Sequence, residues 1–292
     1  MATFAGLEHI VRENEPLANA TWFRLGGPAR YFAEPTSVEE LKSLVTGCRE
    51  ANLPVRVLGG GSNVLIRDEG VAGLVIHLAA PAFCEISVAG NTLRAGGGAK
   101  LTHVISTAVR ESLSGLEQLV GIPGTVGGAL RTNAGANGND IGQRTRRATV
   151  MTSGGEVLKY EGSDLRFAYR QSSLDELVIL EATFELDREE VGTLTKRMQK
   201  LWIVQKASQP HGNLNVGCIF KDVGGISAAS LIEQAGFKSA QVGQAMVCDL
   251  NANFIIAQPN AKSRDVIELI ERLRNGVAER LGVALETELQ IW

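Results

Sequence analysis

The sequence predicts a mixed α+β fold divided into more than one domain, and three observations predict it. Strand-like and helix-like segments follow one another without the regular alternation that a doubly wound parallel sheet requires. Glycine is abundant, at 33 residues against 8 prolines, and it gathers in three runs rather than spreading as low complexity. A polar helical stretch from about Glu189 to Gln205, ending before Gln209-Pro210, divides the chain. With 292 residues, two or three domains of substantial core can form.

Ser37 and Glu40 make a capping-box pattern ahead of Leu41, Leu44, Val45 and Cys48, whose spacing puts them on one helical face. Val55–Leu58 reads as a short buried strand that runs directly into Gly59–Asn63. A second strand (Val64–Ile66), a turn at Asp68-Glu69-Gly70 and a third strand (Leu74–Leu78) follow. Thr92–Ala95 is strand-like, and Leu101, Val104, Ile105, Ala108 and Val109 mark an amphipathic helix. Ala148–Thr152 and Glu156–Tyr160 flank Gly154-Gly155 as a hairpin, and Leu177–Leu186 is a further strand. Beyond the polar helix, Ala228–Ala235 is a helix that stops at Gly236. Strands are expected at Met246–Cys248 and Asn253–Ile256, then a long helix from Arg264 to Leu281 stopped by Gly282, then a last strand over Leu285–Ile291.

Composition narrows the function. Positive and negative residues nearly balance, at a formal net charge of −3. Nucleic acid or an anionic membrane as main partner would demand clustered positive charge. Residues 1–15 lack a basic stretch followed by an apolar core, so no secretory signal is expected. No run of about 18 apolar residues predicts a membrane span. Cys48, Cys84, Cys218 and Cys248 are scattered without metal-binding spacing, which suits a reduced, cytoplasmic chain. His9, His77, His103 and His211 form no cluster with carboxylates or cysteines, so no metal is expected.

The glycine runs are Gly59-Gly60-Gly61, extended by Ser62 and Asn63; Gly96-Gly97-Gly98; and Gly121-Ile-Pro-Gly-Thr-Val-Gly-Gly128. The last is followed by another small-residue run, Asn133-Ala-Gly-Ala-Asn137-Gly138. Consecutive glycines let backbone N–H groups converge on an anion, and Ser62 and Asn63 add side-chain donors. Two such loops about sixty residues apart suit an extended diphosphate cofactor. Neither is the Rossmann or the Walker pattern, so residue chemistry alone leaves simple turns and a nucleotide cradle both open.

The exact strings carry more. Thr21-Trp-Phe-Arg-Leu-Gly-Gly-Pro-Ala-Arg30, Leu58-Gly-Gly-Gly-Ser-Asn-Val-Leu-Ile66 and Gly121-Ile-Pro-Gly-Thr-Val-Gly-Gly-Ala129 with Asn133-Ala-Gly-Ala136 occur in one order. Then come Tyr169-Arg170-Gln171-Ser172, Gln209-Pro210, Gly217-Cys218-Ile219-Phe220-Lys221, Leu231-Ile-Glu-Gln-Ala-Gly236 and Leu285-Glu-Thr-Glu288-Leu. Together, over almost the whole chain, they resemble the MurB family of UDP-N-acetylenolpyruvoylglucosamine reductases, in its shorter type II-like form. The resemblance implies a two-subdomain FAD-binding module of the vanillyl-alcohol oxidase type (residues 1–78 and 79–200) and a smaller C-terminal α/β substrate domain (201–292). It implies FAD as cofactor, NADPH as hydride-donating co-substrate, and reduction of UDP-N-acetylglucosamine enolpyruvate to UDP-N-acetylmuramate in peptidoglycan precursor synthesis.

On that resemblance, FAD contacts fall on Leu58, Gly59, Gly60, Gly61, Ser62, Asn63, Gly121, Pro123, Gly124, Gly127, Gly128 and Asn133. Arg170 would stabilise the anion that develops on the substrate carboxylate, because a guanidinium stays charged and binds carboxylate in a fork. Cys218 stands where the family has Ser or Cys and would donate the proton to C2. A free thiol, with pKa of about 8.5, is protonated at neutral pH. Glu288 would hydrogen-bond the developing acid, although Glu286, two residues away on the same strand face, is open on register alone. Gly217 and Lys221 are expected at the substrate, Lys221 on an anionic group, and Tyr169 is either a packing residue or a substrate contact. Four positions depart from the commonest family pattern: Asp222-Val223 replaces Asn-Pro, Asn251 replaces His, and Ala257 replaces Asn. Two rival readings share the glycine runs: another flavin oxidoreductase on the same scaffold, and a nucleotide-binding regulatory protein without turnover.

Overall fold

The computed structural model describes residues 4–136, 138–210 and 214–292. Asn137 of the small-residue run and His211 therefore lie outside the described residues. The chain forms two compact units that interleave in sequence. Met1–Asn14, Arg30–Gly60 and Ala72–Val204 make the first; Glu15–Ala29, Gly61–Val71 and Gln205–Trp292 make the second.

The first unit has two hydrophobic cores. One gathers around helix α1 (Val38–Glu50), whose buried Leu41, Leu44, Val45 and Cys48 pack with Leu74, Ile76, Phe83 and Leu180. Its start follows from the expected cap, since Ser37 accepts from the Glu40 N–H at 3.2 Å. The Glu40 carboxylate reaches one residue further back than a capping box would take it, to Thr36 N at 2.7 Å and Thr36 Oγ1 at 2.8 Å. The sheet beside it runs in the order Val11–Pro16, Pro28–Ala33, Val71–His77, Val55–Leu58, the last two parallel. Val11–Pro16 carries no apolar alternation because it is an exposed edge strand.

The second core lies on a five-stranded antiparallel sheet. Its order is Val157–Glu161, Thr145–Met151, Val178–Glu185, Thr92–Gly96, Ile86–Ala89. The glycine hairpin closes as expected, with the Thr152 N–H donating to Glu156 O at 2.9 Å. After the short α2 (Pro81–Cys84), α3 (Leu101–Arg110) buries all five residues of its predicted stripe. A six-residue helix, α4 (Val126–Arg131), starts inside the third glycine run, capped by Thr125.

Helix α5 (Val191–Ser208) is the predicted polar helix, and the boundary between the units falls within it. It buries only Leu194 among its residues, so polar bonds must hold it. Arg197 donates to Glu117 at 2.8 Å and is paired with Glu189 at 2.5 Å. Glu117 is buried and also accepts from the Gly115 N–H at 2.6 Å. Burial opposes its charge, but the Gly115 amide and the Arg197 guanidinium outweigh that and hold its carboxyl below the usual range. A lowered folded-state pKa gives stability that is complete above the unfolded value and is lost as pH falls through the folded one. We expect Glu117→Gln to cost about 1–3 kcal/mol near neutrality. In melts taken stepwise toward about pH 3, the gap to wild type should close.

The second unit has a four-stranded antiparallel sheet in the order Asn215–Gly217, Phe254–Ala257, Ala245–Val247, Gln241–Val242. Helices α6 (Ala228–Gln234) and α7 (Ser263–Leu281) share its core with Phe23 and Leu65. Both helices stop as expected, Gly236 and Gly282 taking left-handed φ of 76° and 69°. The expected strand over Leu285–Ile291 is not continuous. Thr287 bridges Phe220, whereas Gln290–Ile291 pairs in parallel with Val64–Leu65, so the segment changes partner midway.

Candidate active site

In the first unit, two of the glycine loops meet. Leu58 is buried and ends its strand beside His77. A Cβ on Gly59 would stand 2.6 Å from Thr125 Oγ1, and one on Gly60 would stand 2.7 Å from Gly124 Cα. Glycine is needed at position 60 because main chain lies against main chain there. The two loops thus form one structure. Amides of the third run are engaged within it: Val126 N donates to Ala99 O at 2.9 Å, Gly127 N to Gly97 O at 2.8 Å, and Gly128 N to Thr125 Oγ1 at 3.4 Å. The expectation of free amides fails for those three residues, because Ala99, Gly97 of the middle run and the Thr125 hydroxyl each supply an acceptor. The amide of Gly60, by contrast, donates to no acceptor among the described residues.

Arg170 sits on a tight hairpin. Phe167–Ala168 pairs with Gln171–Ser172, leaving Tyr169 and Arg170 as the two-residue loop. Arg170 has a φ of 52°, in the left-handed region that arginine seldom adopts. Its Nη1 donates to Gly135 O at 3.1 Å, and its guanidinium lies 5.5 Å from the Tyr169 ring centre. Tyr169 itself is 56% exposed. Asn133 lies beneath this hairpin, buried, with both ends of its side chain bonded to protein.

In the second unit, the glycine loop continues with Gly61, Ser62 and Asn63. Their amides also donate to no acceptor among the described residues, and Gly61 is buried. The Asn63 side chain donates to Glu288 O at 3.2 Å, so it braces the main chain that carries Glu288. Glu288 N in turn donates to Ile219 O at 2.8 Å, which brings Glu288 beside the Cys218–Lys221 segment. Cys218 is half-buried and free of any disulfide, and the Gly217–Cys218 peptide is cis. A Cβ on Gly217 would meet the Phe254 ring at 2.5 Å. Lys221 pairs with Glu286 at 2.5 Å, its ammonium largely covered and the carboxylate mostly exposed.

Residues 209–292 match the C-terminal domain of UDP-N-acetylenolpyruvoylglucosamine reductase, and residues 29–161 match an FAD binding domain. The enzyme of that name from Rhodopirellula baltica is 42% identical over 286 residues, 98% of this chain and 94% of its own. The chain belongs to the UDP-N-acetylenolpyruvoylglucosamine reductase family. A Listeria innocua relative of the same name is 38% identical over 290 residues, 98% of this chain and 97% of its own. The crystal structure of the Thermus caldophilus enzyme, MurB, superposes with a TM-score of 0.83 at 34% identity, covering 97% of this chain and 99% of that one. A glucose dehydrogenase, Phl p 4.0202, shares the fold alone, with a TM-score of 0.52 at 15% identity over 63% of this chain and 42% of its own.

The residues fit the FAD that a UDP-N-acetylenolpyruvoylglucosamine reductase carries. Four successive amides, from Gly60 to Asn63, have no protein acceptor among the described residues. A buried amide such as that of Gly61 is costly unless an oxygen meets it, and phosphate oxygens are good acceptors. One residue that braces the Cys218–Lys221 segment was not singled out from the sequence. Asn253 is buried; its Oδ1 accepts from Phe220 N at 2.9 Å and its Nδ2 donates to Phe220 O at 2.8 Å. Its carbonyl also accepts from Ile219 N at 3.0 Å. Three bonds from one residue therefore fix the strip between Cys218 and Lys221. The only sequence signal was a polar residue at the head of an apolar strand.

Proposed function

We infer that this chain reduces UDP-N-acetylglucosamine enolpyruvate to UDP-N-acetylmuramate at the expense of NADPH, in peptidoglycan precursor synthesis. The observation that carries this is family membership, at 42% identity across 98% of the chain. When bound, FAD would supply the hydride chemistry that links NADPH to C3 of the enolpyruvyl group.

The roles of individual residues are our proposal. Leu58, Gly59–Asn63, Gly121, Pro123, Gly124, Gly127 and Gly128, with the loop opened by Asn133, cradle FAD. Arg170 stabilises charge as it gathers on the substrate carboxylate. The Cys218 thiol delivers its proton to C2, and Gly217 keeps the approach to it narrow. Glu288 hydrogen-bonds the developing acid; its main-chain bonds to Asn63 and to Ile219, next to Cys218, support this choice over Glu286. Lys221 and Tyr169 contact substrate. By this division of labour, residues 1–78 and 79–200 hold FAD and 201–292 serve the substrate, with 15–29 and 61–71 grouped by the fold with the last. A cytoplasmic setting is proposed as well. No described helix is long and apolar enough to cross a membrane.

The test is anaerobic. The purified protein should show a flavin spectrum that NADPH bleaches and the enolpyruvyl substrate restores. Wild-type protein that NADPH cannot bleach, or that substrate cannot reoxidise, strikes the assignment out.

A further inference from the structure

We propose that Asn133 is a positioning residue for Arg170, coupling the loop expected at the cofactor to the arginine expected at the substrate. The inference rests on the role given to Arg170 above and goes beyond it by naming what holds that side chain.

Asn133 is 1% exposed, and its carboxamide joins two separate segments. Nδ2 donates to Ala168 O at 2.8 Å, and Oδ1 accepts from Gly142 N at 3.0 Å. Ala168 is the last paired residue before the Tyr169-Arg170 loop. A loop of two residues has no slack, so fixing Ala168 fixes where Arg170 leaves the main chain. The second hold comes from Gly135, two residues further on, whose carbonyl takes the Arg170 Nη1 at 3.1 Å. The Asn133–Gly135 stretch therefore holds the hairpin at Ala168, just ahead of its loop, and Arg170 at its guanidinium.

Conformation points the same way. Arg170 and Asn133 both have left-handed φ, 52° and 46°. Asparagine tolerates that region; arginine does so only where its surroundings over-determine it. No other side chain does both jobs of Asn133. Asp would set a carboxylate oxygen against the Ala168 carbonyl, and Gln would place its amide one methylene too far.

The experiment uses full-length, FAD-loaded protein and follows the two half-reactions separately by anaerobic stopped flow. Asn133→Gly keeps the left-handed backbone and removes only the clamp; Asn133→Asp keeps the acceptor for Gly142 and loses the donor to Ala168. Each is expected to slow reoxidation by the enolpyruvyl substrate roughly ten- to a hundredfold, as displacement of a positioned group does, and to change flavin reduction by NADPH far less. The deciding measurement is the double variant with Arg170→Asn. If Asn133 acts through Arg170, the double variant reoxidises no more slowly than Arg170→Asn alone. Multiplied losses in the double variant, or equal losses in both half-reactions, overturn the inference and leave the Arg170 reading standing. Unimpaired reoxidation in Arg170→Asn by itself overturns both.

Discussion

In Cys218→Ala, NADPH should bleach the flavin at close to the wild-type rate, while the enolpyruvyl substrate should restore its colour about 10²–10⁴-fold more slowly. That range is what removal of a positioned general acid costs. The asymmetry follows from where a proton is needed. Hydride transfer from NADPH requires none from the protein, whereas addition of hydride at C3 leaves C2 electron-rich and in want of one. Cys218 is built to be placed rather than merely present. On one side, Gly217 lies so close to the Phe254 ring that no side chain fits; on the other, Asn253 fastens Ile219 and Phe220 with three bonds. Cys218→Ser should keep a measurable second half-reaction, since a hydroxyl held in the same place can also donate. Equal loss of both halves in the alanine variant would refute the role.

The candidate site was proposed from sequence strings, but the reasons for those strings lay in pairings that no local pattern encodes. Helix α1 was legible from cap to stripe: Ser37, Glu40 and four apolar residues specify it without help from elsewhere. The edge strand Val11–Pro16 was not, because an exposed edge needs no alternation. Leu285–Ile291 read as one strand because its composition is strand-like throughout. What interrupts it is the competition between Phe220 and Val64–Leu65 for its backbone. At the site, the glycine runs were legible as loops, yet the sequence could not say that Gly60 faces Gly124. Nor could it show that Asn63 and Asn133 direct their side-chain donors at Glu288 and Ala168. Polar side chains that serve the main chain at long range look the same in sequence as those that await a ligand.

The close approach of those loops sets the other large effect. Gly60→Ala should yield protein that is largely colourless, and destabilised by about 1–3 kcal/mol as overpacked sites are. The obstacle to its methyl group is Gly124 Cα at 2.7 Å, which is main chain and cannot turn aside. Relief requires the two loops to separate, and with them the row of amides from Gly60 onward that we propose for the cofactor's phosphates. Gly59→Ala makes an instructive contrast. There the obstacle is the Thr125 hydroxyl at 2.6 Å, a group that can rotate, although it also caps α4 through Gly128 N. Giving up that cap costs about 1 kcal/mol. Thr125→Ala should therefore restore part of the flavin content of Gly59→Ala, and none of that of Gly60→Ala. Flavin absorbance per mole of purified protein, read for the three single variants and the two doubles, decides the matter. Stoichiometric flavin in Gly60→Ala would mean that these loops are packed for the fold alone and that FAD is held elsewhere.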